Sequence, residues 1–263
     1  DVYYSTTDRN AGTEVEVTVK GKEGTAYENL TAETSYTIIP YADEVTVTIT
    51  GNSESKVFTG DEQSVSGYTV EAPEEFADEF PVSNVTLKEG YTAKVSGTDV
   101  GNYDMELTSE SFVNLNTNFS NVRFVVTDGV LSITPLNVFL VAGSDDKPFD
   151  GFPLTCNDYA VYCDTNNSGT LPEDAELTFD ANPKDLPGKA KITATVAATD
   201  EVILAGSTIT NEIKEHTISP GTPKNYNVIY KTGTLTVLSQ EYQITLQPES
   251  ATYPYDGQSH SVG

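Results

Sequence analysis

Hydrophobic and polar residues alternate along most of this chain, with the two-residue period of half-buried β-strands. The segment Glu14–Lys20, EVEVTVK, is the clearest example. Alternation predicts further strands at 45–50, 64–71, 91–97, 103–107, 122–127, 129–134, 176–181, 191–198, 227–232 and 234–239. Asp128-Gly129 separates two alternating runs and predicts a tight hairpin. One helical turn is expected within 108–114, where Thr108 or Ser109 would supply the cap.

One stretch of the chain occurs three times. Each copy has a strand-like run, a short polar gap, then an aromatic residue, a small or acidic residue and a glycine. The three triplets are Phe58-Thr59-Gly60, Phe149-Asp150-Gly151 and Tyr255-Asp256-Gly257. Self-similarity at a long period is typical of tandem arrays. In each triplet we expect glycine to allow a turn with positive φ, the acid to bond nearby backbone, and the ring to fill the core.

The copies predict an all-β chain of small tandem domains, either Ig-like β-sandwiches or β-grasp-like units, in an elongated array. The predicted segments are the closing part of a repeat at 1–42, complete repeats at 43–135 and 136–238, and the opening part of another at 239–263. Each junction leaves only one to four residues between strands, which indicates stiff linkage.

The outer segments 239–263 and 1–42, joined in that order, would make one nearly complete repeat. Two interpretations fit. The chain is one period cut from a longer array, which we favour, or separate subunits polymerise by strand complementation. Either way, we expect residues 1–40 and 241–263 at opposite ends of an elongated chain, each pairing with a neighbouring repeat or copy where one is present.

Composition narrows the classes of partner. The chain has 40 acidic and 14 basic residues and a formal net charge of −26. Nucleic acid and anionic membranes attract basic surfaces, so neither is an expected partner. No apolar run reaches the length of a membrane helix. His216 and His260 lack a partnered nucleophile motif, and no cofactor or catalytic residue is predicted.

Two local patterns are candidate sites. Cys156 and Cys163 are the only cysteines. Both could lie on the arms of one hairpin, which predicts a disulfide; the alternative is two buried thiols on separate strands. Asp164, Asn166 and Ser168 have the spacing of the first calcium ligands of an EF-hand loop. Because Ala175 occupies the twelfth position, a solvated turn is favoured over a calcium site, and no metal is predicted.

The repeated pieces resemble MBG and YDG-type β-rich repeats, which occur in tandem in large surface proteins and adhesins of bacteria. The matching pieces are the three triplets, Gln258-Ser259-His260-Ser261-Val262, GTDVGNY at 97–103, Asn225-Tyr226-Asn227-Val228 and GTLTV at 233–237. The resemblance covers nearly the whole chain and implies secretion and no catalytic residues. Thr59 and the cysteine-bearing segment depart from the pattern.

These features predict a non-enzymatic, extracellular repeat region that forms the stalk of a bacterial surface adhesin or filament. Its partners would be neighbouring repeats or copies of the same chain, end to end. The alternative is a module that binds a host glycan or host protein. That module would be centred on 136–238, the longer repeat and the one with the cysteines.

Overall fold

The computed structural model describes residues 1–201, 204–240 and 244–261. The fold is all-β, as predicted. Helical structure in the described residues is limited to single 3₁₀ turns, and no helix there is long and apolar enough to span a membrane.

The first part of the chain forms a three-stranded antiparallel sheet. Its strands are β1 (Val2–Tyr4), β2 (Glu14–Lys20) and β3 (Thr31–Thr37), in the order β1-β2-β3. Alternation in β2 buries Val15, which is 2% exposed. Every residue of β3 is exposed.

Ten short strands lie between residues 45 and 134, in the segment that we call the first repeat. They are β4 (Val45–Gly51), β5 (Glu54–Val57), β6 (Gln63–Ser66), β7 (Tyr68–Glu71), β8 (Val85–Leu87), β9 (Lys94–Gly97), β10 (Gly101–Asp104), β11 (Phe112–Asn114), β12 (Val122–Thr127) and β13 (Val130–Thr134). They form two three-stranded sheets, β12-β4-β7 and β10-β13-β5, and two strand pairs, β8 with β11 and β6 with β9. Both three-stranded sheets contribute buried side chains to one core, so the unit is two-layered.

The second repeat contains eight strands. They are β14 (Leu136–Ala142), β15 (Asp145–Pro148), β16 (Tyr159–Asp164), β17 (Lys184–Leu186), β18 (Ala190–Ala198), β19 (Thr208–Ser219), β20 (Tyr226–Lys231) and β21 (Gly233–Leu238). They form the sheets β16-β14-β20 and β15-β21-β19-β18-β17. Every residue of β14 is buried, as is typical of a central strand covered on both faces.

The two repeats share one unusual pairing pattern. In each, the first strand pairs in parallel with the penultimate strand, β4 with β12 and β14 with β20. In each, the second strand pairs in parallel with the last, β5 with β13 and β15 with β21. Because the first two strands of each unit pair with its last two, the N-terminal and C-terminal parts of the unit lie in the same sheets.

This pattern overturns the predicted hairpin at Asp128-Gly129. β12 and β13 lie in different sheets, so the two residues form a crossover between layers. The Asp128 carboxylate accepts hydrogen bonds from the backbone N–H groups of Glu106 and Leu107, both at 2.9 Å. A Cβ on Gly51 would lie 2.4 Å from Gly129 N, so the crossover needs glycine at both positions. The second repeat repeats this contact between Gly143 and Gly233.

Other local predictions had mixed outcomes. The helical turn is confirmed as a 3₁₀ turn at Ser109–Ser111, with a capping box between Thr108 and Ser111. The predicted strand 64–71 breaks at Gly67, where φ is +95°, and its halves β6 and β7 join different sheets. The predicted strand 176–181 is wrong: only Asp180 forms a bridge, with Tyr159. Alternation alone does not produce a strand where no neighbouring strand lies alongside.

Candidate functional site: the joints between repeats

Asn225 connects the first and second repeats through hydrogen bonds. Asn225 ends the 3₁₀ turn before β20 and is 3% exposed. Its side-chain oxygen accepts a hydrogen bond from Val100 N at 2.9 Å. Its side-chain nitrogen donates to Asp99 Oδ1 at 2.7 Å. Asp99 and Val100 directly precede β10 of the first repeat, so one buried amide engages two adjacent residues of the neighbouring unit.

The same arrangement occurs at the preceding junction. The Asn118 side-chain oxygen accepts from Ala11 N at 2.7 Å, and its nitrogen donates to Asn10 Oδ1 at 3.0 Å. Asn118 lies four residues before the start of β12, and Asn225 lies directly before β20. Each asparagine contacts a residue pair followed by glycine. We call this arrangement the asparagine joint.

The aromatic residue of the first triplet, Phe58, also lies at the junction between the first and second repeats, which we call the second joint. Phe58 is 3% exposed, and its ring meets the Tyr226 ring edge-on at 5.4 Å between centroids. The Tyr226 hydroxyl donates to the Pro187 carbonyl. Burial raises the pKa of Tyr226, and the nearby Cys163 and Asp99 raise it further, so this hydroxyl stays protonated at neutral pH. The triplet ring therefore contacts the next repeat as well as its own core.

Backbone packing at this joint is close. Gly60 has φ +84° and Gly188 has φ +75°, and a Cβ on Gly60 would lie 2.1 Å from Gly188 N. Buried side chains from both repeats belong to one continuous hydrophobic cluster, whereas Leu154, Leu235 and Val237 of the second repeat form a separate small one. The two units therefore share a packed interface.

The other two triplets have different surroundings. The Phe149 ring is half-buried against Leu154, Leu235 and Val237. Tyr255 is fully exposed, so the expectation that it fills a core is wrong for the described structure. A core would need sheets on both sides of the ring, and residues 244–261 form no strand.

The turn geometry is nevertheless shared by all three copies. Gly60, Gly151 and Gly257 have φ of +84°, +81° and +70°. Phe58 N donates to Thr134 O at 2.9 Å, and Phe149 N donates to Leu238 O at 3.1 Å, so the first two triplets leave the last strand of their repeats at the same position.

The two triplet aspartates bond to their own turns. Asp150 accepts from Lys147 Nζ at 2.7 Å and from Phe152 N at 3.0 Å, and these two hydrogen bonds lower the pKa of its carboxyl. Asp256 accepts from Gln258 N and from His260 Nε2, both at 2.9 Å. Each carboxylate stabilises the chain reversal that its glycine permits.

The predicted disulfide is wrong, because Cys156 and Cys163 are both free. Strand register explains the separation. Cys163 pairs with Val138 of β14, whereas the Cys156 sulfur lies beside Gly143, five residues farther along the chain and just past the end of β14. Five residues of extended chain span about 16 Å, and a disulfide needs Cα atoms within about 7 Å. Burial raises the pKa of the Cys163 thiol.

The candidate calcium residues form a closed turn. Asp164 is 3% exposed, and its carboxylate accepts from Gly169 N at 2.8 Å and Ser168 Oγ at 3.2 Å. Burial alone would raise the pKa of this carboxyl, but these hydrogen bonds outweigh it and lower the pKa. Asn167 bonds backbone groups of Asn137 and Pro135. Among the described residues, no cluster of three or more His, Cys, Asp or Glu side chains is arranged to hold a metal.

Sequence reasoning did not single out the joint asparagines as functional. The stretch NFSNV at 118–122 resembles NYNV at 225–228, and that likeness was the available signal. Nothing in the sequence indicated which distant residues the two side chains would meet, since their partners lie 107 and 125 residues away.

Of the comparisons with known proteins, only the match to a family model bears on this architecture. A search of curated proteins found no match. Among solved structures, domains 4–9 of surface layer protein SbsC match with 13% identity and a TM-score of 0.18, over 87% of this chain and 35% of that one. This chain thus spans about a third of that structure, and so low a TM-score supports no argument. The family model for the MBG domain matches residues 45–135. That match spans the unit that runs from β4 to the end of β13, so this part of the chain is similar to an MBG domain.

Proposed function

We propose that this chain is a non-enzymatic, extracellular repeat region that forms the stiff shaft of a bacterial surface adhesin or filament. The observation that carries the proposal is the asparagine joint, present at two successive junctions with the same donors and acceptors. A geometry repeated at these two junctions sets the same relation between the units on either side of each.

Stiffness follows from three features of the second joint. Only Pro135 separates β13 from β14, so the linker has no slack. The buried amide of Asn225 and the Phe58 ring hold the units on either side of this linker. Bending would expose both and would leave Val100 N without its acceptor, at a cost of about 1–3 kcal/mol for each unsatisfied polar group.

The surface charge supports an extracellular shaft. A net charge of −26 keeps neighbouring chains apart in solution and favours solubility. We propose the segments 43–135 and 136–238 as the complete units of the shaft, with 1–42 and 239–263 as parts of further units. The partners of each unit would be the adjacent repeats.

A spin-label distance measurement tests stiffness directly. Labels would replace the exposed Ser66 and Lys214 in a chain whose native cysteines are changed by Cys156→Ser and Cys163→Val. A stiff shaft gives one narrow distance distribution between the two repeats. The Asn225→Ala variant with the same labels should give a broader one. A broad distribution in the unsubstituted joint would refute the shaft.

A further inference from the structure

We propose that the free edge of β3 accepts residues 251–254 of a second copy of this chain as an added parallel strand. This proposal rests on the repeat-array function above and names the partner and the register of its contact.

In both complete repeats the last strand has a partner strand on each of its two edges. The last strand of the first repeat, β13, pairs with β10 on one side and with β5 on the other. The last strand of the second repeat, β21, pairs with β19 on one side and with β15 on the other. In both cases the parallel partner is the four-residue strand immediately before the aromatic triplet.

Hydrogen bonds identify β3 as the equivalent of β21. Gly12 N donates to Ile38 O at 2.8 Å, and Ile38 N donates to Thr13 O at 3.0 Å. In the second repeat, Gly206 N donates to Val237 O at 2.7 Å, and Val237 N donates to Ser207 O at 2.9 Å. Ile38 therefore corresponds to Val237, so Thr37 corresponds to Thr236 and Ile39 to Leu238.

The outer edge of β3 is open. In the described part of the chain β3 pairs with β2 alone, and every β3 residue is exposed. Because Ile38 bonds toward β2, the backbone groups of Thr37 and Ile39 point the other way, toward solvent. An open edge of this kind is a template for another strand.

The third triplet provides the matching strand. Residues 251–254, Ala-Thr-Tyr-Pro, directly precede Tyr255, and all four are exposed. Pro254 corresponds to Pro148, the residue that ends β15. The second repeat pairs Asp146 with Thr236. The same register places Thr252 opposite Thr37 and lets Tyr255 N donate to Ile39 O, as Phe149 N donates to Leu238 O.

The chemistry of the two segments favours their association. The facing stretches, 36–39 and 251–254, contain no charged residue in a chain of net charge −26. Pairing therefore avoids the like-charge repulsion that opposes most other contacts between copies. It would also cover Ile39 and Tyr255, which are 79% and 100% exposed.

Disulfide trapping between copies tests the register. Two full-length chains would be prepared in the Cys156→Ser, Cys163→Val background, one with Thr37→Cys and the other with Thr252→Cys. Mixed under mild oxidation, they should form a heterodimer. Thr37→Cys mixed with Ser259→Cys, on the far side of the triplet, is the mismatched control. Equal trapping in both mixtures, or none in the matched mixture, would overturn the proposal.

A peptide measurement tests the edge without cross-linking. A labelled peptide of residues 244–261 should bind the full chain saturably by fluorescence anisotropy. Thr37→Pro removes a backbone N–H that points away from β2, so it should weaken binding by about tenfold or more and keep the sheet. Thr37→Val keeps the N–H and should bind like the unsubstituted chain.

The outcomes separate this inference from the shaft proposal. Absence of peptide binding, with a narrow spin-label distribution between the complete repeats, refutes the strand addition and leaves the shaft intact. Peptide binding that Thr37→Pro does not weaken places the peptide elsewhere and also refutes the β3 edge. A broad spin-label distribution refutes the shaft whatever the peptide does.

Discussion

Replacing Asn225 with alanine should uncouple the two complete repeats. The substitution removes the acceptor for Val100 N and the donor to Asp99 Oδ1, two hydrogen bonds of 2.9 and 2.7 Å that cross the joint. It leaves the strands of both units and the core side chains in place. The change therefore acts on the contact between units.

The magnitude follows from the surroundings of the two partners. Val100 is half-buried, so its unpaired N–H should cost about 1–2 kcal/mol, whereas the exposed Asp99 regains water and should cost about 0.5 kcal/mol. The sum is about 2 kcal/mol. For a cooperative unit of this size, that lowers the Tm by about 4–8 °C.

Differential scanning calorimetry and urea unfolding would measure the loss. The joined repeats should unfold in one transition, and Asn225→Ala should split or broaden it as the units become independent. Asn102→Ala is the matched control, because Asn102 lies exposed on β10 close to the same loop. It should change stability by less than about 0.5 kcal/mol. If Asn225→Ala leaves both the Tm and the shape of the transition unchanged, the asparagine joint does not couple the repeats.

Three further predictions concern the turns and the cysteines. Gly60→Ala places a Cβ 2.1 Å from Gly188 N at φ +84°, whereas Gly151→Ala, at φ +81°, meets nothing within 4 Å. In urea unfolding, Gly151→Ala should cost about 1 kcal/mol and Gly60→Ala clearly more; equal costs would contradict the close packing at the joint. Hydrogen bonds with Lys147 and Phe152 N lower the pKa of the Asp150 carboxyl. The carboxylate therefore stabilises the fold above the usual carboxyl pKa of about 4, and this stabilisation is lost as the pH falls through the lowered pKa. Thermal melts should show that Asp150→Asn lowers the Tm at pH 7 and has little effect near pH 2, whereas the same loss at both pH values would argue against this carboxylate. Because both thiols are free, reductant should leave the Tm unchanged, and a thiol-specific dye should titrate two thiols in denaturant but Cys163 only slowly in the native chain. A Tm that falls on reduction would instead show a disulfide.

Local signals in the sequence located most elements. The run at 122–127 is a strand with those bounds, because its alternation matches a half-buried strand and β4 lies alongside it. Glycine at the third position of each triplet predicted the positive φ found in all three copies, because that conformation depends on one residue and its neighbours. The repeat itself was evident because similar strands recur in the same order.

Tertiary structure decided which strands lie together. The sequence at Asp128-Gly129 has the local form of a hairpin, yet β12 and β13 join different sheets because each has a parallel partner about 75 residues earlier. The two cysteines are close in sequence, but the register of β16 against β14 moves them apart. Nothing in the local sequence distinguishes Asn118 and Asn225 from other loop asparagines, because their hydrogen-bond partners belong to the neighbouring repeat. Alternation and turn chemistry are properties of a few adjacent residues, whereas strand partners and joint contacts depend on the free energy of packing the whole chain, which no local stretch contains.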